Sequence, residues 1–241
     1  MPVKTAALTV RFPIRICARL GLLVLGLVLS GCGSTTQISV AQPMQSGKYA
    51  QGEAVVILSK HHLAVTETDD DFVTCVGQSL AKQDPDIRVL PQQQFIDDMY
   101  PYFEARTAPT SVRALSRLAA DPAVRGRMSE LNVRYLIWLD GDTQTVEKSG
   151  SFSCAVGPGA GGCLGFSEWT DQGSYEAAIW DIKEQDEAGS FNIESTGTSH
   201  LVGVIVPVPL LARVESKACH AAAQRIALSV KTLKSKPLFP K

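Results

Sequence analysis

Ala54-Val55-Val56-Ile57-Leu58 is an unbroken apolar run, and its reading decides the fold. A strand with one wet face alternates apolar and polar residues. A run without a polar position belongs to a strand covered on both sides, as in parallel sheets. Downstream, Thr68-Asp69-Asp70-Asp71 reads as a helix start, because short acidic side chains accept bonds from first-turn N–H groups and meet the positive dipole end. A helix start accounts for this triad without a metal. Phe72, Val76 and Leu80 then recur at four-residue spacing, and Gln83-Asp84-Pro85 stops the helix. Ile87-Arg88-Val89-Leu90 is the next strand. The unit is strand-helix-strand, which implies parallel strands and a right-handed crossover.

Beyond it, Pro91 opens a short helix through Phe95 and Met99, and Ser111–Ala120 and Ala123–Leu131 read as two more. Val133-Arg134-Tyr135-Leu136-Ile137-Trp138-Leu139 is the strongest strand signal in the chain. The pattern after it is antiparallel: strands at 143–148, 151–156, 174–182 and 190–196 separated by Ser149-Gly150, Gly157-Pro158-Gly159, Gln172-Gly173 and Glu187-Ala188-Gly189 as turns. Leu201–Val208 is apolar, with Pro207 and Pro209 expected to end any regular strand. A final helix, 212–234, carries Val214, Ala218, Ala222, Ile226 and Val230 on one face. The fold class that follows is α/β (α+β): a mixed sheet with an amino-terminal strand-helix-strand unit, an antiparallel meander and a carboxy-terminal helix packed on the sheet.

Working back towards the amino terminus, residues 1–31 hold Lys4, Arg11, Arg15 and Arg19 and no acidic residue, followed by the apolar run Leu20–Leu29. A basic segment, a ten-residue apolar core and a small-residue site make a secretory signal; a spanning helix needs about 20 apolar residues. Leu29-Ser30-Gly31-Cys32 resembles the bacterial lipobox. That resemblance implies cleavage before Cys32, lipidation of its thiol with three acyl chains and anchoring to a membrane, each buried CH₂ contributing ~0.8 kcal/mol. Gly33 and Ser34, with no Asp after the cysteine, imply the outer membrane, with the domain facing the periplasm. Residues 32–52 are polar and rich in Gly, Ser and Gln, and read as a flexible tether of roughly 25 Å reach at ~5–6 Å × √n. Residues 53–241 form one periplasmic domain.

Without residues 1–31, 19 Lys+Arg face 24 Asp+Glu, a net charge of −5. No basic face is left to neutralise phosphates, so nucleic acid is not expected as a partner. Cys17 leaves with the signal and Cys32 is the lipid site, leaving Cys75, Cys154, Cys163 and Cys219. An even number in an oxidising compartment suggests two disulfides, and four cysteines allow three connectivities. Cys154 and Cys163 flank a Gly-rich turn. Cys75 and Cys219 each lie beside the apolar stripe of a helix, so two helices on one sheet face would bring them together. Zinc would need Cys-x₂₋₄-Cys or Cys/His spacing, which is absent.

The order of elements, with Val133–Leu139 and Ala177-Ala178-Ile179-Trp180-Asp181-Ile182 inside it, resembles the amino-terminal α/β domain of the Tol translocation protein B over roughly residues 53–234. Related domains occur in the curli-secretion lipoprotein and in lipoprotein activators of penicillin-binding proteins. The resemblance implies a non-catalytic envelope binding or assembly factor with a protein partner in the envelope. The Gly-rich segment 154–163 departs from that pattern, and the sequence offers no pair of membrane-crossing hairpins.

No catalytic or cofactor motif is specific. Gly157–Gly165 lacks the Gly-Lys-Ser/Thr ending of a phosphate loop, and no Gly-x-Ser-x-Gly elbow occurs. His61-His62 lack a His-Glu-x-x-His frame. No cofactor is therefore expected. Two readings remain. In the first, the chain is a lipid-anchored binding factor whose docking face is the exposed side of the 143–196 meander with Trp169. The alternative is an envelope hydrolase or small-ligand binder with a pocket near Ser167, Glu168 and His200.

Overall fold

The computed structural model describes residues 33–44, 49–59, 68–104 and 106–232. Cys32 with its lipobox, and His61-His62, lie outside the described residues. Among the described residues six strands form one mixed sheet: β1 (Ser34–Gln42), β2 (Ala54–Ser59), β3 (Arg88–Leu90), β4 (Val133–Gly157), β5 (Ala160–Asp181) and β6 (Asp186–Leu210). Their spatial order is β1-β6-β5-β4-β2-β3. β2 pairs in parallel with both β3 and β4, and the other pairings are antiparallel.

Among the described residues five helices cover the sheet: α1 (Asp70–Gln83), α2 (Gln92–Asp98), α3 (Val112–Ala119), α4 (Pro122–Glu130) and α5 (Val214–Thr232). α1 and α5 lie on one face, where Phe72, Val76, Leu80, Ala222 and Ile226 pack with Val55, Ile57, Tyr135 and Ile137. The other face carries α2, α3 and α4, whose Phe95, Leu115, Val124 and Met128 pack with Val56, Leu58, Leu136 and Trp138. β2 is thus buried on both faces at every position, as its unbroken apolar run requires. Asp69 caps α1 by accepting from the Asp71 amide at 2.9 Å. At the end of the sheet body, Arg134 and Asp181 form a buried ion pair at 2.5 Å. Asp181 Oδ1 also accepts from the amides of Lys183 and Glu184, which fixes the β5–β6 turn.

Three features differ from the expectations above. First, the stretch read as a tether contains β1. Thr36 shares a hydrogen bond with Ser195 (2.9 Å), and the β-branched Thr36, Ile38 and Val40 alternate along the edge of β6. Second, Ser149-Gly150, Gln172-Gly173 and Glu187-Ala188-Gly189 do not turn the chain; they lie inside continuous strands. At Gly150 the backbone takes φ +94°, and a Cβ there would strike the carbonyl of Phe166, so glycine bends β4 without ending it. The β5–β6 turn falls instead at 182–185. Third, β6 runs through Pro207 and Pro209 to Leu210. Proline is tolerated where its missing N–H faces no ladder partner.

The outcome is a long arm. Beyond Asp142, β4 and β5 leave the helix-covered body as a hairpin and turn at Pro158-Gly159. Thr143–Gly157 alone spans up to ~50 Å at ~3.3 Å per residue. β6 follows β5 as far as Ile205, opposite Cys163. The chain then returns, so that the Ala212 amide donates to the Ser199 hydroxyl at 2.9 Å before α5 begins.

Candidate functional site

Both faces of the arm carry apolar side chains. On the α2–α4 side it carries Leu164, Phe166 and Val202, all exposed, with Leu164 at 73%. The Phe166 ring stacks beside His200 at 5.7 Å between centroids. On the α5 side Phe152 lies over glycines, and a methyl at Gly203 would strike its ring. The half-buried Phe152 ring would have to shift to admit it. Val156 is 91% exposed at the tip, and Val206, Val208 and Leu211 are exposed along the return. Beyond Leu139, the outer edge of β4 meets no strand among the described residues. Thr68 closes it near the body, its hydroxyl meeting the Leu139 carbonyl (3.3 Å) and the Gly141 amide (3.1 Å). Further out, no described residue pairs with that edge. Glu147 and Lys148 place charges along it, a common protection for bare strand edges.

Cys154 bridges Cys163 near the tip, with Cα atoms 4.0 Å apart on directly opposed residues. Cys75 bridges Cys219, tying α1 to α5 with Cα atoms 6.1 Å apart. Beside the second bridge, Ser79 Oγ lies 3.0 Å from Nδ1 of His220.

Ser167, Glu168 and His200 do not converge. Glu168 and His200 face each other across β5 and β6, with Oε2 and Nδ1 3.5 Å apart. Ser167 is the next residue along β5, so its side chain leaves from the opposite face. Its hydroxyl donates to the Ser149 carbonyl at 3.2 Å. The expected pocket at this trio is therefore absent, because strand alternation separates its members. Trp169 is half-buried opposite Lys148 and Ser199, on the α5 side of the arm.

A different cavity, about 520 Å³, opens at the root of the arm between the sheet and residues 108–113. Its floor is read directly from the register. Leu136 faces Trp180, Trp138 faces Ala178 and Asp140 faces Glu176 on adjoining strands, all on the α3 side. The small Ala178 leaves room beside Trp138, whose ring lies 5.5 Å from that of Trp180 at 56°. Glu187 and Arg113 complete the rim. Sequence reading missed this site because Asp140-Gly141-Asp142 looks like a turn. The available signal was the mirrored spacing Trp138-x-Asp140 and Glu176-x-Ala178-x-Trp180 on two strands that pair.

Two titrating groups near the arm's root are perturbed. Burial pushes the Tyr175 phenol up to about 12, against the hydrogen bond from its neighbour Thr143 (2.8 Å) that favours ionisation. Glu215, at the start of α5, is held above the usual carboxylate range by burial and by the charges of Asp69 and Asp71.

No protein-family model matches the chain, and no curated protein matches it. Among solved structures, a dodecamer of a PelC variant from Paraburkholderia phytofirmans is similar at 14% identity and TM-score 0.36, covering 81% of this chain and 97% of that one. A second crystal form of the PelC dodecamer from the same organism gives 14% identity and TM-score 0.34 over 85% and 99%. At these scores the likeness carries no argument about activity.

Proposed function

We propose that this chain is a lipid-anchored, non-catalytic assembly or binding factor of the bacterial envelope, and that it docks an envelope protein through its β arm. The observation that supports the reading is the arm itself. It stands clear of the body, exposes apolar side chains, and along β4 has an edge that no described residue pairs with. An added strand gains backbone hydrogen bonds at such an edge and takes its specificity from alternate side-chain contacts.

The anchor reading comes from Cys32, and β1 gives it a geometry. β1 begins at Ser34 opposite Gly197, at the root of the arm. Two residues span at most ~7 Å. A lipid on Cys32 therefore fixes the body beside its membrane at the arm's root, closer than a 20-residue tether would. The partner then lies at that membrane surface, on the outer membrane's periplasmic side.

Two measurements test the reading. Palmitate labelling of cells should mark the chain and be lost in Cys32→Ser; an unlabelled wild type would overturn the anchor. Pull-down after crosslinking in cells should recover an envelope protein from the intact chain and not from one with residues 145–169 replaced by a short Gly-Ser turn. Equal recovery from both would overturn the arm as the docking element.

A further inference from the structure

The bridge between α1 and α5 is a chemical arrangement independent of the docking arm. Cys75 and Ser79 stand four residues apart on one face of α1, and Cys219 and His220 are neighbours on α5. Where the helices meet, Ser79 Oγ lies 3.0 Å from Nδ1 of His220 and 3.6 Å from Sγ of Cys219. One hydroxyl therefore joins an imidazole to one sulfur of the disulfide.

Two features exceed what a staple between helices needs. Ser79 is only 7% exposed, and a serine in mid-helix commonly turns its hydroxyl back to the carbonyl four residues earlier. Among the described residues the Ser79 hydroxyl instead contacts only the His220 ring and the Cys219 sulfur. The two ends of the bridge also differ in access. Cys219 is completely buried, whereas Cys75 is half-buried and His220 is exposed.

Thiol–disulfide exchange needs an attacking thiolate that can reach one sulfur and a second sulfur able to leave. Access places the attack on Cys75, so Cys219 is the leaving group. A thiolate released in apolar surroundings is disfavoured, and a proton delivered to it removes that cost. A serine hydroxyl has one proton to give. When Ser79 donates it to Cys219, the hydroxyl oxygen accepts from Nδ1–H of His220.

We infer that Cys75–Cys219 is an exchange site for an external thiol, with Ser79 and His220 as its proton relay. The external thiolate forms a bond to Sγ of Cys75, the Cys75–Cys219 S–S bond breaks, and its electron pair leaves on Sγ of Cys219. Ser79 passes its proton to that sulfur and takes the Nδ1 proton of protonated His220, which becomes neutral. One disulfide and one thiolate yield one mixed disulfide and one Cys219 thiol, with no net oxidation.

The test treats the full oxidised chain with reduced glutathione, without denaturant and at one pH, and maps the products by mass after an acid quench. Glutathione should appear on Cys75 with Cys219 as the free thiol, at a rate proportional to glutathione concentration, as attack on the folded chain requires. Ser79→Ala should slow the reaction about tenfold, less than full acid catalysis gives because a thiolate is itself a fair leaving group. His220→Ala, at an exposed position, should slow it to a similar degree, and added imidazole should restore rate to this variant and none to Ser79→Ala. Exchange at Cys154–Cys163, on the arm, should be the same in all three chains. Glutathione on Cys219, a rate independent of glutathione concentration, wild-type rates in both variants, or a His220→Ala defect untouched by imidazole would each overturn the inference.

Discussion

Cys154 stands directly opposite Cys163, Cα to Cα 4.0 Å, and their bridge closes the arm near its tip rather than within the body. The loop it closes is short, so the entropy model gives it roughly 2–3 kcal/mol, and only the hairpin can collect that stabilisation. The double variant Cys154→Ser/Cys163→Ser should therefore leave the thermal unfolding of the body within ~1 °C of wild type. Hydrogen exchange at 152–166 should accelerate at least tenfold. A large fall in global stability would show that the arm folds as part of the core.

The other bridge has the opposite role. Cys75 and Cys219 are separated by 144 residues, and they join α1 to α5 across the larger core. Replacing both with Ser should cost about 4–5 kcal/mol by urea unfolding, and a loss under ~1 kcal/mol would contradict the packing.

The Arg134–Asp181 pair is buried, at 5% and 0% side-chain exposure. Burial opposes the charge on Arg134, but Asp181 and Tyr135 together outweigh it and hold the guanidinium pKa above its ordinary value. Asp181→Ala should destabilise by about 3–5 kcal/mol, because it strands a buried cation and frees the β5–β6 turn. Replacing the pair together with Met and Leu should cost less than that single truncation. Urea midpoints of the two variants decide the matter.

Tyr175 gives a pH signature. Its ring stacks on Phe72 at 3.9 Å and 7°. Its pKa is raised to about 12 in the folded chain, against about 10 unfolded, so the protonated form is favoured by folding. That stability is complete below pH ~10 and is lost as pH rises through about 12. Tyr175→Phe should cost about 1 kcal/mol at pH ~8 through the lost Thr143 bond. The gap to wild type should narrow or reverse above pH ~11. A gap constant with pH would contradict a buried, protonated phenol.

The sequence was most readable where one physical signal dominated. The continuous run at β2 requires cover on both faces, and the structure provides it with helices on each side. The Asp69–Asp71 cap and the stripes on α1 and α5 likewise located two helices and the thiols beside them. The errors share a cause. Gly150, Gly173 and Gly189 looked like punctuation, yet each sits within a strand that bends or packs closely there. Local composition cannot separate a bend from a turn, since both need glycine. β1 was missed because Ser, Thr and Gln surround its alternating Thr36, Ile38 and Val40, and an edge strand has little apolar burial to announce it. The cavity was hidden for a further reason: its residues meet only through the β4–β5 register.

The most direct test of the docking arm is photocrosslinking in living cells, with a photoreactive phenylalanine analogue placed at Ser151 on the arm or at Gln83 on the exposed end of α1. Ser151 should crosslink to one envelope protein in a discrete adduct, and Gln83 should give none. An adduct at Gln83 with none at Ser151, or no protein adduct at either, would contradict it.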